Sequence, residues 1–339
     1  MSKNFWKKLN RPILALAPMA GITDSAFREI CVRNGCDVAY SEMASVSALF
    51  FKPKKTLELL KFNASERPYV VQLFGKDPKH FAKATQIVTT ELKPAGIDIN
   101  FGCPAKKVFG HGSGCALMPQ TDLAREIISA VCDNTDLPVS IKIRAGIEGR
   151  DAKSCVSTTA IDFIESIEDL PFVAVMVHGR TYEGGFSAVP NFEIVAEIKK
   201  IIPNKIVLAN GGINTPEDAK NILDKYPTID GLGIARGAWG KPYLFAQIKE
   251  LLKIRTLGVS HPHSHLDTQC PSAVEYDFTA IKKIALAHAD LLWESKGKTG
   301  MLEIRKHLAW YFKGFSNASE LRQKLVQSKS VEEIKNILE

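Results

Sequence analysis

The sequence lacks the features of membrane-spanning, secreted and disulfide-stabilised proteins. No stretch reaches the roughly 18 uncharged apolar residues that a membrane helix needs. The start, Met1 to Arg11, is polar and lysine-bearing, with no apolar signal core behind it. The seven cysteines show no CxxC pairing of a zinc site or small disulfide scaffold. We therefore expect a cytoplasmic protein with free thiols and no membrane partner. The cysteines are Cys31, Cys36, Cys103, Cys115, Cys132, Cys155 and Cys270.

Composition and charge are those of a folded protein with an uneven surface. The 339 residues are 45% hydrophobic and 24% charged, which excludes a disordered or fibrous chain. The net charge is +7, and the 62 residues from Phe278 onward carry 11 Lys and Arg against 7 Asp and Glu, a net +4. This excess favours a polyanionic partner, although scattered lysines also occur on ordinary solvated surfaces. No protein partner is implied.

Eight short runs rich in β-branched residues alternate with segments of helical periodicity. Leu123, Ile127 and Val131 illustrate the three- and four-residue spacing of such a segment. Eight βα units predict a closed (β/α)8 TIM barrel, of class α/β, followed by a C-terminal all-helical domain. The predicted strands are Ile13 to Ala17, Val38 to Glu42, Tyr69 to Phe74, Gly96 to Phe101, Val139 to Ile143, Phe172 to Val177, Lys205 to Ala209 and Ile229 to Ile234.

The chain divides into a barrel domain over residues 1–254, a linker over 255–277 and a helical domain over 278–339. The linker is rich in Pro, Ser and His. A metal site there is conceivable, but the alternating histidines have no second ligand cluster, and a solvated linker is favoured. We predict no metal. The histidines and the nearby cysteine are His261, His263, His265 and Cys270.

Polar and glycine-rich residues gather at the C-terminal ends of the predicted strands, where barrel active sites form. Cys103 follows an apolar stretch, lies between Gly102 and Pro104, and precedes a basic loop. Such a thiol is a candidate proton donor or nucleophile, with a structural turn as the alternative. The last two strand ends, Asn210-Gly211-Gly212 and Ala235-Arg236-Gly237, fit a phosphate site, or else two glycine turns beside a surface arginine.

Six segments, taken together, resemble the motif series of the tRNA-dihydrouridine synthases. They occur in the family's order, cover nearly the whole chain and are most similar to the bacterial B-type branch. The segments are Ala17-Pro18-Met19-Ala20-Gly21-Ile22-Thr23-Asp24, Asn100-Phe101-Gly102-Cys103-Pro104-Ala105-Lys106-Lys107-Val108, Lys142-Ile143-Arg144, Val177-His178-Gly179-Arg180-Thr181, Ala209-Asn210-Gly211-Gly212-Ile213 and Arg305-Lys306-His307-Leu308-Ala309-Trp310-Tyr311-Phe312.

This resemblance implies an FMN-binding barrel with a helical tRNA-binding domain, which reduces the 5,6 double bond of D-loop uridines at the expense of NADPH. Hydride would go to C6 of uracil, and Cys103 would give the proton to C5. The residues implied to hold FMN are Pro18, Met19, Ala20, Gln72, Lys142, His178, Asn210, Gly211, Gly212, Ala235 and Arg236. Those implied to face the uridine or the tRNA phosphates are Asn100, Arg144, Arg180, Lys106, Lys107, Arg305 and Lys306.

The chain departs from the family pattern at three places. Phe109 to Ser113 replaces a stretch that is basic and small in many relatives, Cys115 stands where serine is common, and Ala235 replaces a frequent glycine. Two rivals remain open. A flavin barrel acting on free pyrimidines would not need the basic helical domain, and a tRNA-binding protein without chemistry would not need Cys103, Lys142 and Arg236 together.

Overall fold

The computed structural model describes residues 4–148, 157–254 and 276–339. Eight parallel strands form a barrel in the order β2-β1-β10-β9-β8-β6-β5-β4, which closes through pairing of β2 with β4. Two further strands extend the sheet: β3 runs parallel to β4 and β7 runs antiparallel to β6. In chain order the strands are β1 (Ile13–Leu16), β2 (Val38–Tyr40), β3 (Ala44–Ser45), β4 (Tyr69–Phe74), β5 (Gly96–Phe101), β6 (Val139–Ile147), β7 (Thr158–Thr159), β8 (Ala174–Thr181), β9 (Ile206–Asn210) and β10 (Gly231–Ile234).

Helices follow the strands and cover the outside of the barrel, and four more follow at the C-terminus. They are α1 (Ser25–Arg33), α2 (Val46–Phe51), α3 (Pro53–Leu59), α4 (Pro78–Ile87), α5 (Lys106–Gly110), α6 (Thr121–Cys132), α7 (Ala160–Glu165), α8 (Glu193–Ile201), α9 (Pro216–Lys225), α10 (Leu244–Leu251), α11 (Phe278–Lys296), α12 (Lys298–Tyr311), α13 (Ala318–Leu325) and α14 (Val331–Leu338). None of the helices in the described ranges is long and apolar enough to cross a membrane.

The core has two layers because successive strand residues point to opposite faces. Ile13, Ala15 and Val38 belong to the cluster that fills the barrel interior, and Trp6, in a short 3-10 helix before β1, is buried with them. Leu14 and Leu16 belong instead to the larger cluster shared with the outer helices. Polar side chains, in contrast, lie at the C-terminal ends of the strands.

All eight predicted barrel strands are confirmed, with two differences that matter for the site. β6 continues to Ile147 and β8 to Thr181, so that Arg144, His178 and Arg180 lie within strands. The two-residue strands β3 and β7 were not predicted, since a segment that short carries no detectable periodicity.

The C-terminal helices pack directly on the barrel. The Trp310 ring of α12 stacks on Trp239, which follows β10, with centroids 4.6 Å apart. Lys296 Nζ of α11 donates to Asp24 Oδ2, the N-cap of α1, at 2.8 Å. These contacts place α11 and α12 beside the ends of β1 and β10. The limits proposed for two domains stay predictions, and the segment from His261 to Cys270 lies outside the described residues.

Candidate active site

Polar side chains form a hydrogen-bonded chain at the C-terminal end of the barrel. Gln72 Nε2 donates to Asp98 Oδ2 at 2.7 Å, and Asn100 Nδ2 donates to Gln72 Oε1 at 2.9 Å. Asn100 Oδ1 accepts the N–H groups of Gly102 and Cys103 at 3.0 and 2.9 Å. Because Asp98, Gln72 and Asn100 are buried, this chain fixes the loop that carries Cys103.

The Cys103 thiol is partly buried and favours its protonated form. Burial raises the pKa of Cys103, and this effect outweighs the opposing influence of the Ala105 backbone and of the Arg144 and Lys142 charges. Cys115 differs because it is fully buried, with its pKa raised to about 12 by burial. Its N–H donates to Cys103 O at 3.2 Å, so Cys115 supports the loop from beneath. Of the two thiols, Cys103 is the one that is open to a substrate.

The ammonium group of Lys142, on β6, reaches the last residue of β9. Its Nζ donates to Asn210 Oδ1 at 3.1 Å, while Asn210 Nδ2 donates to Gly233 O at 2.6 Å. Burial and the nearby Arg144 charge lower the pKa of Lys142 to about 8. Burial also raises the pKa of Asp98 to about 6, against hydrogen bonds and the Lys142 charge. A second anion beside Lys142 would stabilise its charged form.

Positive charge dominates the side of the mouth formed by β6, β8 and β10. The pKa of His178 is lowered to about 2, first by burial and then by the Lys142, Arg144, Arg180 and Arg236 charges. The His178 imidazole is therefore neutral and lies against Arg180, with His178 Nε2 3.2 Å from Arg180 Nη1. This arrangement suits an anionic ligand.

The glycines after β9 allow the backbone to approach these side chains closely. Gly211 has a φ of +112°, and a Cβ there would lie 2.7 Å from the His178 ring. The next residue, Gly212, is exposed. Arg236 is also exposed; its Nη2 donates to Phe186 O at 3.3 Å, and its guanidinium lies 4.6 Å from the Phe186 ring centroid. The structure thus brings the predicted phosphate residues to one side of the mouth, with Ala235 immediately before Arg236.

The loop after β1 carries Pro18, Met19 and Ala20 on the same rim. Thr23 fixes this loop, since its hydroxyl donates to Met19 O at 3.2 Å and its N–H donates to the same oxygen at 3.0 Å. Trp239 Nε1 lies 3.1 Å from Met19 Sδ and joins the loop to the end of β10. Pro18 and Met19 are partly buried and Ala20 is exposed.

Arg144 joins the loop that carries Cys103 to the loop after β8. Its side chain is only 1% exposed, and its Nε donates to Gly102 O at 2.9 Å. Its Nη1 donates to Thr181 O at 2.9 Å and to Gly185 O at 3.2 Å. The sequence-based expectation that Arg144 faces the uridine stays a prediction, while its described contacts orient the Cys103 loop and the loop after β8.

The remaining predicted substrate residues fall into two groups. Lys106 and Lys107 are exposed on α5, directly after the Cys103 loop. Arg305 and Lys306 are on α12. Lys306 Nζ donates to Gly21 O and so ties α12 to the loop after β1. The Arg305 Nη2 donates to a carbonyl oxygen between α13 and α14 at 3.4 Å.

Comparison with solved structures supports the barrel architecture alone. The crystal structure of TcOYE with pHBA superposes with a TM-score of 0.50 at 9% identity, covering 70% of this chain and 88% of that chain. The family model described as Dihydrouridine synthase (Dus) matches residues 15–339. The chain belongs to the dihydrouridine synthase family.

Individual relatives of the dihydrouridine synthase family match over most of their length. The tRNA-dihydrouridine synthase B of Vibrio vulnificus (strain CMCP6) is 34% identical over 311 residues, covering 91% of this chain and 89% of that relative. The tRNA-dihydrouridine synthase B of Pseudomonas aeruginosa (strain PAO1) is also 34% identical, covering 91% and 86%. The family resemblance expected from the motifs is thus confirmed.

Two site residues of this dihydrouridine synthase family member were missed by sequence reasoning. Asp98 anchors the chain of hydrogen bonds to Cys103 and is held by Ser140 Oγ at 2.6 Å. A carboxylate within the apolar run of β5 was the available signal, because buried Asp is rare without partners. Phe186 covers Arg236 from a glycine-containing loop. No local sequence pattern predicts a role for Phe186, since its partner Arg236 is 50 positions away in the chain.

Proposed function

We propose that this chain is an FMN-dependent oxidoreductase that reduces the 5,6 double bond of D-loop uridines in tRNA, with NADPH as electron donor. The observation that carries the proposal is the partly exposed Cys103 thiol. The Cys103 backbone N–H donates to Asn100 Oδ1, and the thiol lies beside a mouth that gathers Lys142, Arg180 and Arg236. Membership of the dihydrouridine synthase family supports the same reaction.

The residues at the mouth fit FMN by the chemistry of their donors. Arg236 is exposed at the strand end and suits a phosphate, and the glycine backbone at Gly211 and Gly212 would let a phosphate approach the main chain closely. The lowered pKa of Lys142 indicates an ammonium without full compensation, which suits an anionic ring edge. Gln72 uses one Nε2 hydrogen to donate to Asp98, and its Oε1 accepts from Asn100. The second Nε2 hydrogen of Gln72 would donate to a carbonyl of the flavin ring.

When bound, FMN supplies the hydride for C6 of uracil and is reduced again by NADPH. Cys103 keeps its proton on Sγ, available for transfer to C5 of uracil, because burial raises the pKa of its thiol. An ordinary carboxylate would be ionised at neutral pH, and a lysine would hold its proton too tightly. Asn100 keeps the Cys103 backbone in place, and Arg144 fixes the neighbouring Gly102 carbonyl.

The tRNA would be recognised outside the pocket as well as inside it. The family resemblance assigns the barrel, residues 1–254, to catalysis and the helices from 278 onward to tRNA binding. The net positive charge of the latter segment supports this division. Lys106 and Lys107 lie beside Cys103, where a phosphate next to an extruded uridine would pass. Work on tRNA would place the protein in the cytoplasm.

The decisive comparison is the reoxidation of reduced protein by different acceptors. Protein reduced anaerobically with NADPH should be reoxidised by an unmodified tRNA transcript and not by free uracil or orotate. Reoxidation by a free pyrimidine alone would support the small-molecule enzyme instead. A protein that binds tRNA but takes up no FMN would support a binding protein without chemistry.

Arg236→Ala should weaken FMN binding by about 10- to 100-fold, since a lost charged hydrogen bond to phosphate typically costs about 1.5 to 3 kcal/mol. Titration of the apoprotein with FMN, followed by flavin fluorescence, measures the change. Lys241→Ala is a matched control, because Lys241 is an exposed cation that also follows β10 in the chain. An unchanged FMN affinity in Arg236→Ala would show that the phosphate site is misplaced.

The pH profile should report the Cys103 proton. The rate of flavin reoxidation by tRNA should stay high while the thiol is protonated and fall as pH rises through its pKa. Because burial raises the pKa of Cys103, the fall should come above the ordinary thiol value of about 8.5. Stopped-flow absorbance measures it. Lys142, whose pKa is about 8, titrates in a neighbouring pH range. The part of the pH–rate profile that disappears in Cys103→Ala is therefore the part assigned to the thiol.

A further inference from the structure

An exposed aromatic cluster lies on the rim of the barrel, outside the site described above. Phe50 and Phe51, at the end of α2, are 39% and 68% exposed. The His80 ring of α4 lies 4.3 Å from the Phe50 centroid and 5.3 Å from that of Phe51. We call Phe50, Phe51 and His80 the aromatic rim patch. Adjoining exposed aromatic rings often mark a binding surface.

The aromatic rim patch is next to the mouth. β3 pairs with the last residues of β4, so that α2 starts at the C-terminal rim. Asn100 Nδ2 lies 3.5 Å from Met43 Sδ, just before β3. Gly75 lies so close to α2 that a Cβ would come within 2.2 Å of the Val46 side chain. The Lys76 side chain reaches Gly112, in the loop that follows Cys103.

The rings are held in place by their neighbours. His80 Nδ1 lies 3.1 Å from Ser47 Oγ. The backbone N–H of His80 donates to Oδ1 of Asp77, the N-cap of α4, at 3.1 Å. The Phe50 and Phe51 centroids are 4.9 Å apart at an interplanar angle of 74°. Phe50 is packed against His80, while the Phe51 ring remains open to solvent. A ligand ring could stack on Phe51 without rearrangement of the patch.

Positive charge surrounds the aromatic rim patch. Lys52, Lys54 and Lys55 directly follow Phe51 and are exposed, as are Lys76 and Lys79 beside His80. Within the described residues none of these five lysines forms an ion pair, and Glu58 pairs with Lys61 at 2.7 Å. Two copies of such a basic patch would repel each other, whereas a nucleic acid would be attracted.

We propose that the aromatic rim patch is an RNA-binding subsite, where an unpaired base of the tRNA stacks on Phe51 and its flanking phosphates contact the neighbouring lysines. Aromatic rings within a basic surface are the usual means of binding unpaired nucleotides. This subsite rests on the proposed function, because it assumes that tRNA is the substrate. It adds a contact beyond the pocket that receives the reacting uridine.

The test compares variants of the full-length protein for their affinity for an unmodified tRNA transcript. Phe51→Ala should weaken binding by about 5- to 100-fold, as loss of one base-stacking ring typically does. Phe51→Trp should keep the affinity and Phe51→Leu should not, since leucine retains apolarity without a stacking face. Leu59→Ala is the control, because Leu59 is 45% exposed on the adjoining α3 and should bind as wild type does.

Salt dependence separates the two parts of the subsite. Lys55→Ala should reduce the slope of log affinity against log salt by about one phosphate contact, whereas Phe51→Ala should leave the slope unchanged. Equal tRNA affinity in Phe51→Ala and wild type would overturn the proposal. If wild type were dimeric and Phe51→Ala monomeric at that equal affinity, the patch would be assigned to a second copy of the chain instead. If wild type reduces tRNA in that case, the proposed function still stands. If wild type neither binds nor reduces tRNA, both proposals fail.

Discussion

Cys103→Ala should slow the reoxidation of reduced flavin by tRNA by about 10² to 10⁴-fold, the typical effect of losing a positioned general acid. The variant should still bind FMN, accept electrons from NADPH and bind tRNA, since none of those steps uses the sulfur. The Cys103 backbone is held by Asn100 and not by its own side chain, so the loop should keep its shape. Stopped-flow absorbance of the flavin under anaerobic conditions resolves a change of this size.

Cys115→Ala is the matched control for this experiment. Cys115 is fully buried beneath the same loop, and its pKa is raised to about 12 by burial, so it is a poor proton donor to a substrate. The control should reoxidise on tRNA at close to the wild-type rate. Fast reoxidation in Cys103→Ala together with slow reoxidation in Cys115→Ala would exchange the roles of the two thiols.

Arg28→Met should destabilise the folded protein by about 3 to 5 kcal/mol, because it leaves the Glu66 carboxylate buried without its partner. Arg28 Nε and Glu66 Oε2 are 2.6 Å apart, and both side chains are fully buried. The guanidinium also donates to Thr23 O at 2.7 Å and to Lys61 O at 2.9 Å. Urea unfolding, followed by the fluorescence of buried tryptophan, measures the free energy of unfolding.

Two comparisons make the Arg28 result specific. Arg33→Met removes the exposed end of a pair with Glu29, where Arg33 is 43% exposed, and should cost about 1 kcal/mol or less. The double variant Arg28→Met with Glu66→Gln should recover part of the loss, because no charge stays buried. Burial already raises the pKa of Glu66, so the loss in Arg28→Met should shrink as pH falls and the carboxyl becomes neutral. A loss independent of pH would argue against an uncompensated charge.

The barrel could be predicted because each of its strands is a short buried run, and such runs are visible in the sequence. The ends of β6 and β8 could not be predicted, since the buried Arg144 of β6 depends on the carbonyl oxygens of Gly102 and Thr181, which are distant in sequence. A charged residue after an apolar run normally predicts the end of a strand. Folding instead provides partners that local sequence does not show.

The candidate site could be predicted only where the local sequence carries a signal. Cys103 was identifiable from its glycine and proline neighbours and from the family motif. The family resemblance implied that Lys306 contacts tRNA, and in the structure its ammonium donates to the Gly21 carbonyl. That contact joins residues 285 positions apart, and only the docking of α12 on the barrel creates it. The roles of the predicted site residues stay predictions.

The formation of dihydrouridine by the purified protein tests the central claim most directly. An unmodified tRNA transcript would be incubated with the protein, FMN and NADPH, digested, and its fragments mapped by mass spectrometry. The proposed function predicts that fragments from the D-loop gain the mass of two hydrogens at uridine, and that omission of NADPH abolishes the gain. A transcript that binds to the FMN-loaded protein and returns with every uridine unchanged would contradict the claim.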